Sequence, residues 1–221
     1  MIGIICGSNI IHTDFFYKLT HRVVKTPYGE VEVFSNNKVC CVMRHSPFSN
    51  IPPHMINHKA NITALNQMGV DYIISINSVG SLKEGIEPGE ILIPDDFMCL
   101  ANSPTFFDNS MKFIAPKISD EIRKLIVDNL DYLNINYFLA GTYYQTAGPR
   151  FETKAEIKFM KDYADVVGMT MASEVILASE LDIPYASICV VDNYVGDFDD
   201  FKDKQTKNID TVKKILMRLV E

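Results

Sequence analysis

Arg150, Phe151 and Glu152 place a cation, an aromatic ring and a carboxylate on consecutive residues of the segment GPRFETKAEI. An apolar run with strand character ends just before them, and a helix-like pattern begins directly after them. A plain turn would be enough to connect these two elements. Three strong and different contact groups at one junction therefore mark a candidate contact with a ligand that can be ion-paired, stacked on or hydrogen-bonded.

Arg44 and His45 follow another apolar run, in the segment CVMRHSP. A guanidinium can bind two oxygens of a phosphate in a fork, so this pair could form a clamp for an oxyanion. A solvated strand end is the alternative, and these residues alone do not decide between the two. His54 and His58 are spaced by about one helical turn but lack a third ligand, so we predict no metal site there.

Small residues mark two further junctions, CGSN after the first apolar run and NSVGS after a later one. We predict turns at both places, because glycine permits close backbone approach and free N–H groups can hold an anion. Neither segment matches the GxGxxG or Walker sequences, which argues against the usual nucleotide-phosphate sites. Asp192 and Asn193 end another apolar run, where a polar pair must be solvated, hydrogen-bonded or used.

The elements that must position these residues alternate along the chain. We predict strands over residues 1–6, 31–33, 38–43, 71–76, 90–94, 137–146, 164–169 and 185–192, and helices over residues 53–68, 119–133, 153–163, 173–181 and 204–220. We expect Ser119 and Ser173 to cap their helices, and we predict that residues 95–117 form a long irregular segment. This alternation predicts an α/β protein with three layers, α/β/α, around a central mixed, largely parallel sheet. Ligands of such sheets bind at the carboxyl ends of the strands, where the polar and glycine residues fall.

Composition narrows the class of protein. The 221 residues, 47% of them hydrophobic, can bury one sizeable core, so we expect a single domain over residues 1–221. A net charge of −7 and a pI near 5.2 argue against nucleic acid or an acidic membrane as a partner. The five cysteines lie mostly in apolar runs without metal spacing, and we find no signal peptide or membrane-length apolar run. We therefore expect a soluble cytoplasmic protein.

Six segments, taken in order, resemble one enzyme family. They read IGIICGS, RHSPFSNIPPHMINHKANITAL, NSVGSLKEGIEPGEILIPDD, TAGPRFETKAEI, DVVGMTMASEVILASELDI and YASICVVDN, and they span most of the chain from residue 2 to residue 193. Together they are similar to the trimeric branch of the purine nucleoside phosphorylases and methylthioadenosine phosphorylases. The combination of GPxFETxAE with VGMT is specific to that branch, and its members have the nucleoside phosphorylase fold.

The resemblance implies a role for each matching residue. It implies that phosphate is contacted by Ser8, Arg44, His45, Asn77, Ser78 and Thr170. It implies that the nucleoside is contacted by Phe151, Glu152, Met169, Asn193 and Ile209, with catalytic roles for Asn193, Glu152 and His45. It also implies that Phe113 forms a lid over the site of a neighbouring subunit. In this assignment Glu152 accepts from N1–H of the purine, and the Asn193 amide donates to N7 and to a 6-oxo group. Inorganic phosphate is the co-substrate, no metal or organic cofactor is needed, and the assembly is a homotrimer or a dimer of trimers.

Departures from the family pattern bear on the substrate. Asparagine at position 193 and valine at position 195 replace two aspartates of the adenine-specific enzymes, which favours inosine and guanosine. Ile209 and Val212 could form an apolar wall for a 5′-methylthio group or could be core, so 5′-methylthioinosine stays open. Three alternatives remain: a methylthioadenosine phosphorylase, a nucleosidase that uses water, and a catalytically silent nucleoside-binding protein.

Overall fold

A computed structural model describes the backbone of residues 1–7, 15–197 and 201–220 and, outside residues 201–207, their side chains. Its strands are β1 (Ile2–Cys6), β2 (Thr20–Thr26), β3 (Gly29–Ser35), β4 (Val39–Met43), β5 (Tyr72–Ser81), β6 (Ile91–Leu92), β7 (Asp96–Cys99), β8 (Tyr137–Phe138), β9 (Thr142–Gln145), β10 (Val166–Gly168) and β11 (Tyr185–Tyr194). Its helices are α1 (His58–Gln67), α2 (Asp120–Tyr132), α3 (Lys154–Lys161), α4 (Met171–Glu180) and α5 (Phe201–Leu219).

The strands join in one mixed sheet centred on β5. Along one path the order is β2-β3-β4-β1-β5-β10-β9-β7, while β11 pairs with β5 and with β6, and β6 pairs with β8. Strands β1 and β11 both run parallel to β5, and of the eight other pairings within the described residues four are parallel and four antiparallel. The carboxyl ends of β1, β4 and β11 are thus brought to one region of the sheet.

Helices cover the sheet on two sides. Helix α1 packs against α4, and α2 packs against α5, which also contacts β11. Strand β11 is buried over Tyr185 to Asn193, as expected for a strand covered on both faces. This arrangement confirms the predicted α/β/α class. None of the helices in the described part of the chain combines the length and apolar character needed to cross a membrane.

Helix starts follow the capping residues in two places. The Ser119 hydroxyl accepts from the Ile122 N–H at the start of α2, which confirms the predicted cap. Thr153 and Glu156 form a capping box at the start of α3, where each side chain accepts from the backbone N–H of the other residue. These two hydrogen bonds set the start of α3 directly after the Arg150–Glu152 segment.

Several boundaries differ from those predicted from the sequence. The segment NSVGS is not a turn, because β5 continues through it and pairs with β11 as far as Ser81. The helix predicted over residues 53–68 begins only at His58, capped by Asn57, after a short 3-10 turn over Pro53–Met55. The strand predicted over residues 137–146 is divided into β8 and β9, with Gly141 at a φ of 156° between them. Helix α4 begins at Met171, so Ser173 lies inside it and does not cap it.

Two strands were missed. Strand β2, with the sequence THRVVKT, lies at the edge of the sheet and is largely exposed, so polar residues obscure its alternation. Strand β7 lies within residues 95–117 and pairs with β9, which makes the irregular segment shorter than predicted. Both strands are recognised by their pairing partners rather than by their composition.

Candidate active site

A cavity of about 480 Å³ opens at the carboxyl ends of the central strands. Its described lining consists of Cys6, Gly7, Arg44, His45, Asn50, Ile51, Pro53, Ile76, Ser78, Val79, Gly80, Pro149, Phe151, Glu152, Val167, Gly168, Met169, Thr170, Val190, Asp192, Asn193, Val195, Asn208, Ile209 and Val212. Nine of the residues assigned by resemblance are in this list. The sheet thus gathers residues from positions 44 to 209 around one space.

Two glycines allow the wall near Met169 to close. Gly148 has a φ of 64°, and a Cβ there would lie 2.6 Å from the Met169 Sδ atom. At Gly168 a Cβ would collide with the Tyr143 hydroxyl. Any larger residue at either position would push Met169 or Tyr143 away. These contacts explain why small residues flank the predicted ribose-contacting methionine.

Arg44 forms a buried salt bridge with Glu174. Its Nε donates to Glu174 Oε1 at 2.7 Å, its Nη1 donates to the Ile76 carbonyl at 2.7 Å, and its Nη2 donates to Ser75 Oγ at 2.8 Å. Burial by itself would raise the pKa of Glu174, but the charge and hydrogen bonds of Arg44 outweigh burial and lower it. The guanidinium fork expected to clamp an oxyanion therefore holds Glu174, and the pair is electrically neutral.

His45 lines the cavity with one of its ring nitrogens already hydrogen-bonded. Its Nδ1 lies 2.7 Å from the Ile51 carbonyl, and because a carbonyl only accepts, Nδ1 must carry the proton. Burial lowers the pKa of His45, and this outweighs the opposing effect of the Ile51 hydrogen bond. The neutral ring then has a lone pair at Nε2. A proton-bearing ligand oxygen can donate to that atom.

Thr170 lines the cavity, whereas Asn77 lies behind it. The Asn77 side chain is 1% exposed, and its Nδ2 donates to Thr170 Oγ1 at 2.8 Å. Asn77 Oδ1 accepts from Ser187 Oγ at 2.8 Å and from Ser75 Oγ. Successive side chains of β5 point to opposite faces, so Asn77 is buried in the protein interior while the next residue, Ser78, lines the cavity. The direct contact implied for Asn77 is thus replaced by a contact through Thr170.

The segment that follows β9 is held by its own charges. Arg150 donates from Nη1 and Nη2 to the two carboxylate oxygens of Glu156 at 2.8 and 2.7 Å, so this candidate ligand contact is instead paired within its own segment. The hydrogen bond with Arg150, together with those from Thr153, lowers the pKa of Glu156 to about 2. Thr146 donates to Glu152 Oε1 at 2.8 Å, which leaves Oε2 to accept from a ligand. Phe151 is 51% exposed at the mouth of the cavity.

Asn193 reaches the cavity with its amide nitrogen already engaged. Its Nδ2 donates to the Tyr194 carbonyl at 2.7 Å and to the Asp197 carbonyl at 3.2 Å. Since both neighbours are acceptors, the amide orientation is set, and Oδ1 is the atom left for a ligand. The structure therefore offers an acceptor where the resemblance implied a donor.

The apolar wall and its support come from α5. Ile209 and Val212 both line the cavity, so neither is only core. Asn208 fixes that part of the helix, because its Nδ2 donates to Asp192 Oδ1 at 2.8 Å and to the Val191 carbonyl at 3.2 Å. Of the alternatives left open for Asp192, the structure shows that this residue is buried and hydrogen-bonded, with Asn208 as one of its partners.

Two further residues assigned by resemblance, Ser8 and Phe113, are not among the described residues that line the cavity. Ser8 lies outside the described residues. Phe113 is 86% exposed and is absent from the described cavity lining, as a residue that acts on a neighbouring subunit would be.

Sequence reasoning missed three of the polar side chains beneath the cavity, those of Ser75, Tyr185 and Ser187. Ser75 and Asn77 recur every second residue on β5, as do Tyr185 and Ser187 on β11, and all are buried. Polar residues inside apolar strands must be hydrogen-bonded, so this spacing was the available signal.

The chain belongs to the phosphorylase superfamily, whose family model matches residues 1–221. A probable S-methyl-5′-thioinosine phosphorylase from Methanocaldococcus jannaschii is 40% identical, over 100% of this chain and 86% of that protein. A probable 6-oxopurine nucleoside phosphorylase from Archaeoglobus fulgidus is 34% identical, over 100% of this chain and 96% of that protein. The solved structure of an adenosine/methylthioadenosine phosphorylase variant from Schistosoma mansoni, in complex with methylthioadenosine, superposes with a TM-score of 0.90 at 26% identity and covers 99% of this chain and 90% of that one.

Proposed function

We propose that this protein cleaves 6-oxopurine nucleosides with inorganic phosphate and releases the free base and a ribose 1-phosphate. The observation that carries the proposal is that the Glu152 carboxylate lines the same cavity as His45 and Thr170. Hypoxanthine and guanine carry a proton on N1 that a carboxylate can accept. Adenine has a lone pair there and would be repelled. This arrangement supports the 6-oxopurine class.

Asn193 has a matching role in the proposed reaction. Negative charge grows on the base as the N9–C1′ bond to the sugar breaks, and a proton taken up at N7 from solvent water relieves it. The N7–H group can donate to Asn193 Oδ1, whose position is held by the hydrogen bonds from Nδ2 to Tyr194 and Asp197. A fixed dipole that meets charge developing in the transition state accelerates the chemical step. Phosphate held in line below the sugar attacks C1′, and orientation supplies a further part of the rate.

The apolar wall favours a refinement of the substrate. Ile209, Val212 and Ile51 line the same cavity, and such side chains suit a 5′-methylthio group better than a hydroxyl. We therefore include 5′-methylthioinosine among the proposed substrates. The M. jannaschii relative carries that activity in its name.

The proposal extends to assembly and compartment. A homotrimer or dimer of trimers would cover Phe113 and Met111, which are 86% and 90% exposed, and would bring Phe113 to a neighbour's sugar site. Four buried free cysteines suit a reducing cytoplasm. Light scattering of wild type and of Phe113→Ala, together with nucleoside KM values, tests the subunit contribution.

A substrate panel tests the activity. Base release from inosine, guanosine, 5′-methylthioinosine, adenosine and methylthioadenosine is measured with and without phosphate. We expect phosphate-dependent release that favours the 6-oxopurines. A dominant methylthioadenosine rate would reject the role of Glu152, undiminished release without phosphate would indicate a nucleosidase, and tight inosine binding without turnover would indicate a binding protein.

A further inference from the structure

Asn77 connects a buried hydrogen-bond chain to the cavity. Its Oδ1 accepts from the hydroxyls of Ser75 and Ser187, and its Nδ2 donates to Thr170 Oγ1. Ser75 in turn accepts from Arg44 Nη2 at 2.8 Å. The Ser75 hydroxyl has one proton for two acceptors, Asn77 Oδ1 and Glu174 Oε2, so the Ser187 proton is the donor that directs Oδ1 and turns the amide N–H toward Thr170.

Thr170 has no competing use for its hydroxyl. It occupies the cap position of α4, yet its side chain accepts no hydrogen bond from its own helix. Instead, Tyr143 Oη accepts from the N–H groups of Thr170 and Met171 at 3.1 and 3.3 Å, and Gln145 Oε1 accepts from the Ser173 N–H at 3.2 Å. Because Thr170 Oγ1 accepts from Asn77, its single proton is left to donate into the cavity that Thr170 lines.

The charge balance of the site makes that proton important. Among the described lining residues Arg44 is the only lysine or arginine, and its charge is offset by Glu174 at 2.7 Å. His45 is a neutral acceptor in this arrangement. An anion in the cavity must therefore be held largely by neutral donors, and each O–H directed at the anion contributes to its binding affinity.

We propose that Asn77 is a positioning residue that makes the Thr170 hydroxyl a dedicated donor to the phosphate co-substrate. This inference rests on the proposed function and deepens it. The Thr170 hydroxyl is supported through Asn77 by Ser75 and Ser187, so strands β5 and β11 both set its direction. A residue that only fills space at position 77 would leave that hydroxyl free to turn.

Two substitutions at position 77 test whether Asn77 directs the Thr170 hydroxyl or only fills the volume beside it. In Asn77→Asp, an oxygen replaces Nδ2 and can only accept, so the Thr170 proton turns away from the cavity. Asn77→Ala removes the amide without adding a charge and also serves if Asn77→Asp does not fold. Ser81→Ala is the matched control, because Ser81 is a buried residue of the same strand that bonds to Lys83 instead.

Phosphate dissociation constants are measured by calorimetry for each variant, alone and combined with Thr170→Val, alongside nucleoside KM values. We expect Asn77→Asp to weaken phosphate binding about tenfold, the scale of one hydrogen bond to a charged group, with nucleoside KM little changed. In the Thr170→Val background Asn77→Ala, which adds no charge, should not weaken phosphate binding further. Equal losses from Asn77→Ala in both backgrounds, or wild-type phosphate affinity in the single variants, would overturn the inference. If wild type itself binds no phosphate, the proposed function fails instead.

Discussion

Arg44 Nε and Glu174 Oε1 lie 2.7 Å apart, and both side chains are almost completely buried. The two residues are separated by 130 positions in sequence and join the end of β4 to the first turn of α4. Tyr185 Oη donates to Glu174 Oε2 at 2.8 Å, and Ser75 Oγ lies 2.8 Å from the same oxygen. The residue assigned to phosphate by resemblance is therefore also part of the structural core.

Glu174→Gln should strongly destabilise the protein. The substitution leaves Arg44 as a buried charge without its partner, and we expect a loss of about 3–5 kcal/mol in the free energy of unfolding, measured by urea denaturation. Glu156→Gln is the matched control, because it breaks an exposed pair with Arg150 and should cost much less. Equal losses in the two variants would contradict a special role for burial.

Sulfate inhibition should strengthen as the pH falls below 6.5. Burial lowers the pKa of His45, so the ring is neutral at pH 7 and becomes a cationic donor at Nε2 only in acid. Sulfate is a useful probe because, unlike phosphate, it does not titrate between pH 5 and pH 8. The inhibition constant of sulfate against phosphate is measured across that range, and the trend should disappear in His45→Gln. A flat profile in wild type would argue against contact between His45 and the anion.

Asn193→Ala should lower kcat by roughly a hundredfold or more, the scale of one lost group of the oxyanion-hole type. The amide oxygen lost in this variant is the group proposed to meet N7–H of the leaving base. Steady-state kinetics with inosine at saturating phosphate measure the effect. Unchanged turnover would remove Asn193 from the chemical step.

Val212→Thr should reduce the preference for a 5′-methylthio group. A hydroxyl in the apolar wall penalises the methylthio end of the substrate, so kcat/KM for 5′-methylthioinosine should fall about tenfold relative to inosine. Asp210→Asn, an exposed change on the same helix, is the control. A ratio that stays constant would place the 5′ group elsewhere.

His58 should make the fold less stable in mild acid. Burial lowers its pKa to about 4, and the nearby charges of Arg44 and His45 oppose the charge of Glu174. The unfolded chain takes up a proton below pH 6.5 while the folded protein does not, so stability falls between pH 6.5 and pH 4. At roughly 1.4 kcal/mol per pKa unit the full effect is about 3 kcal/mol. Urea midpoints across this range, compared with His58→Gln, isolate the contribution, and parallel curves would contradict it.

The sequence by itself determined the class of fold, the family and nine of the residues that line the cavity. Alternating strands and helices specify helices over a largely parallel sheet, and polar residues after apolar runs mark the carboxyl ends of strands. Capping residues such as Ser119 and Thr153 are local signals, because their partners lie three residues away.

Tertiary structure alone decided what each polar group does. Arg44 pairs with Glu174 and Asn77 bonds to Thr170, and both partners lie far away in sequence. The atom that Asn193 presents depends on the local path of the backbone, because its amide nitrogen donates to the Tyr194 carbonyl. A hydrogen bond is set by distances of about 3 Å and by direction, and residue type alone contains neither. The sequence named the groups at the site, and the packing of β5, β11 and α4 fixed their donors and acceptors.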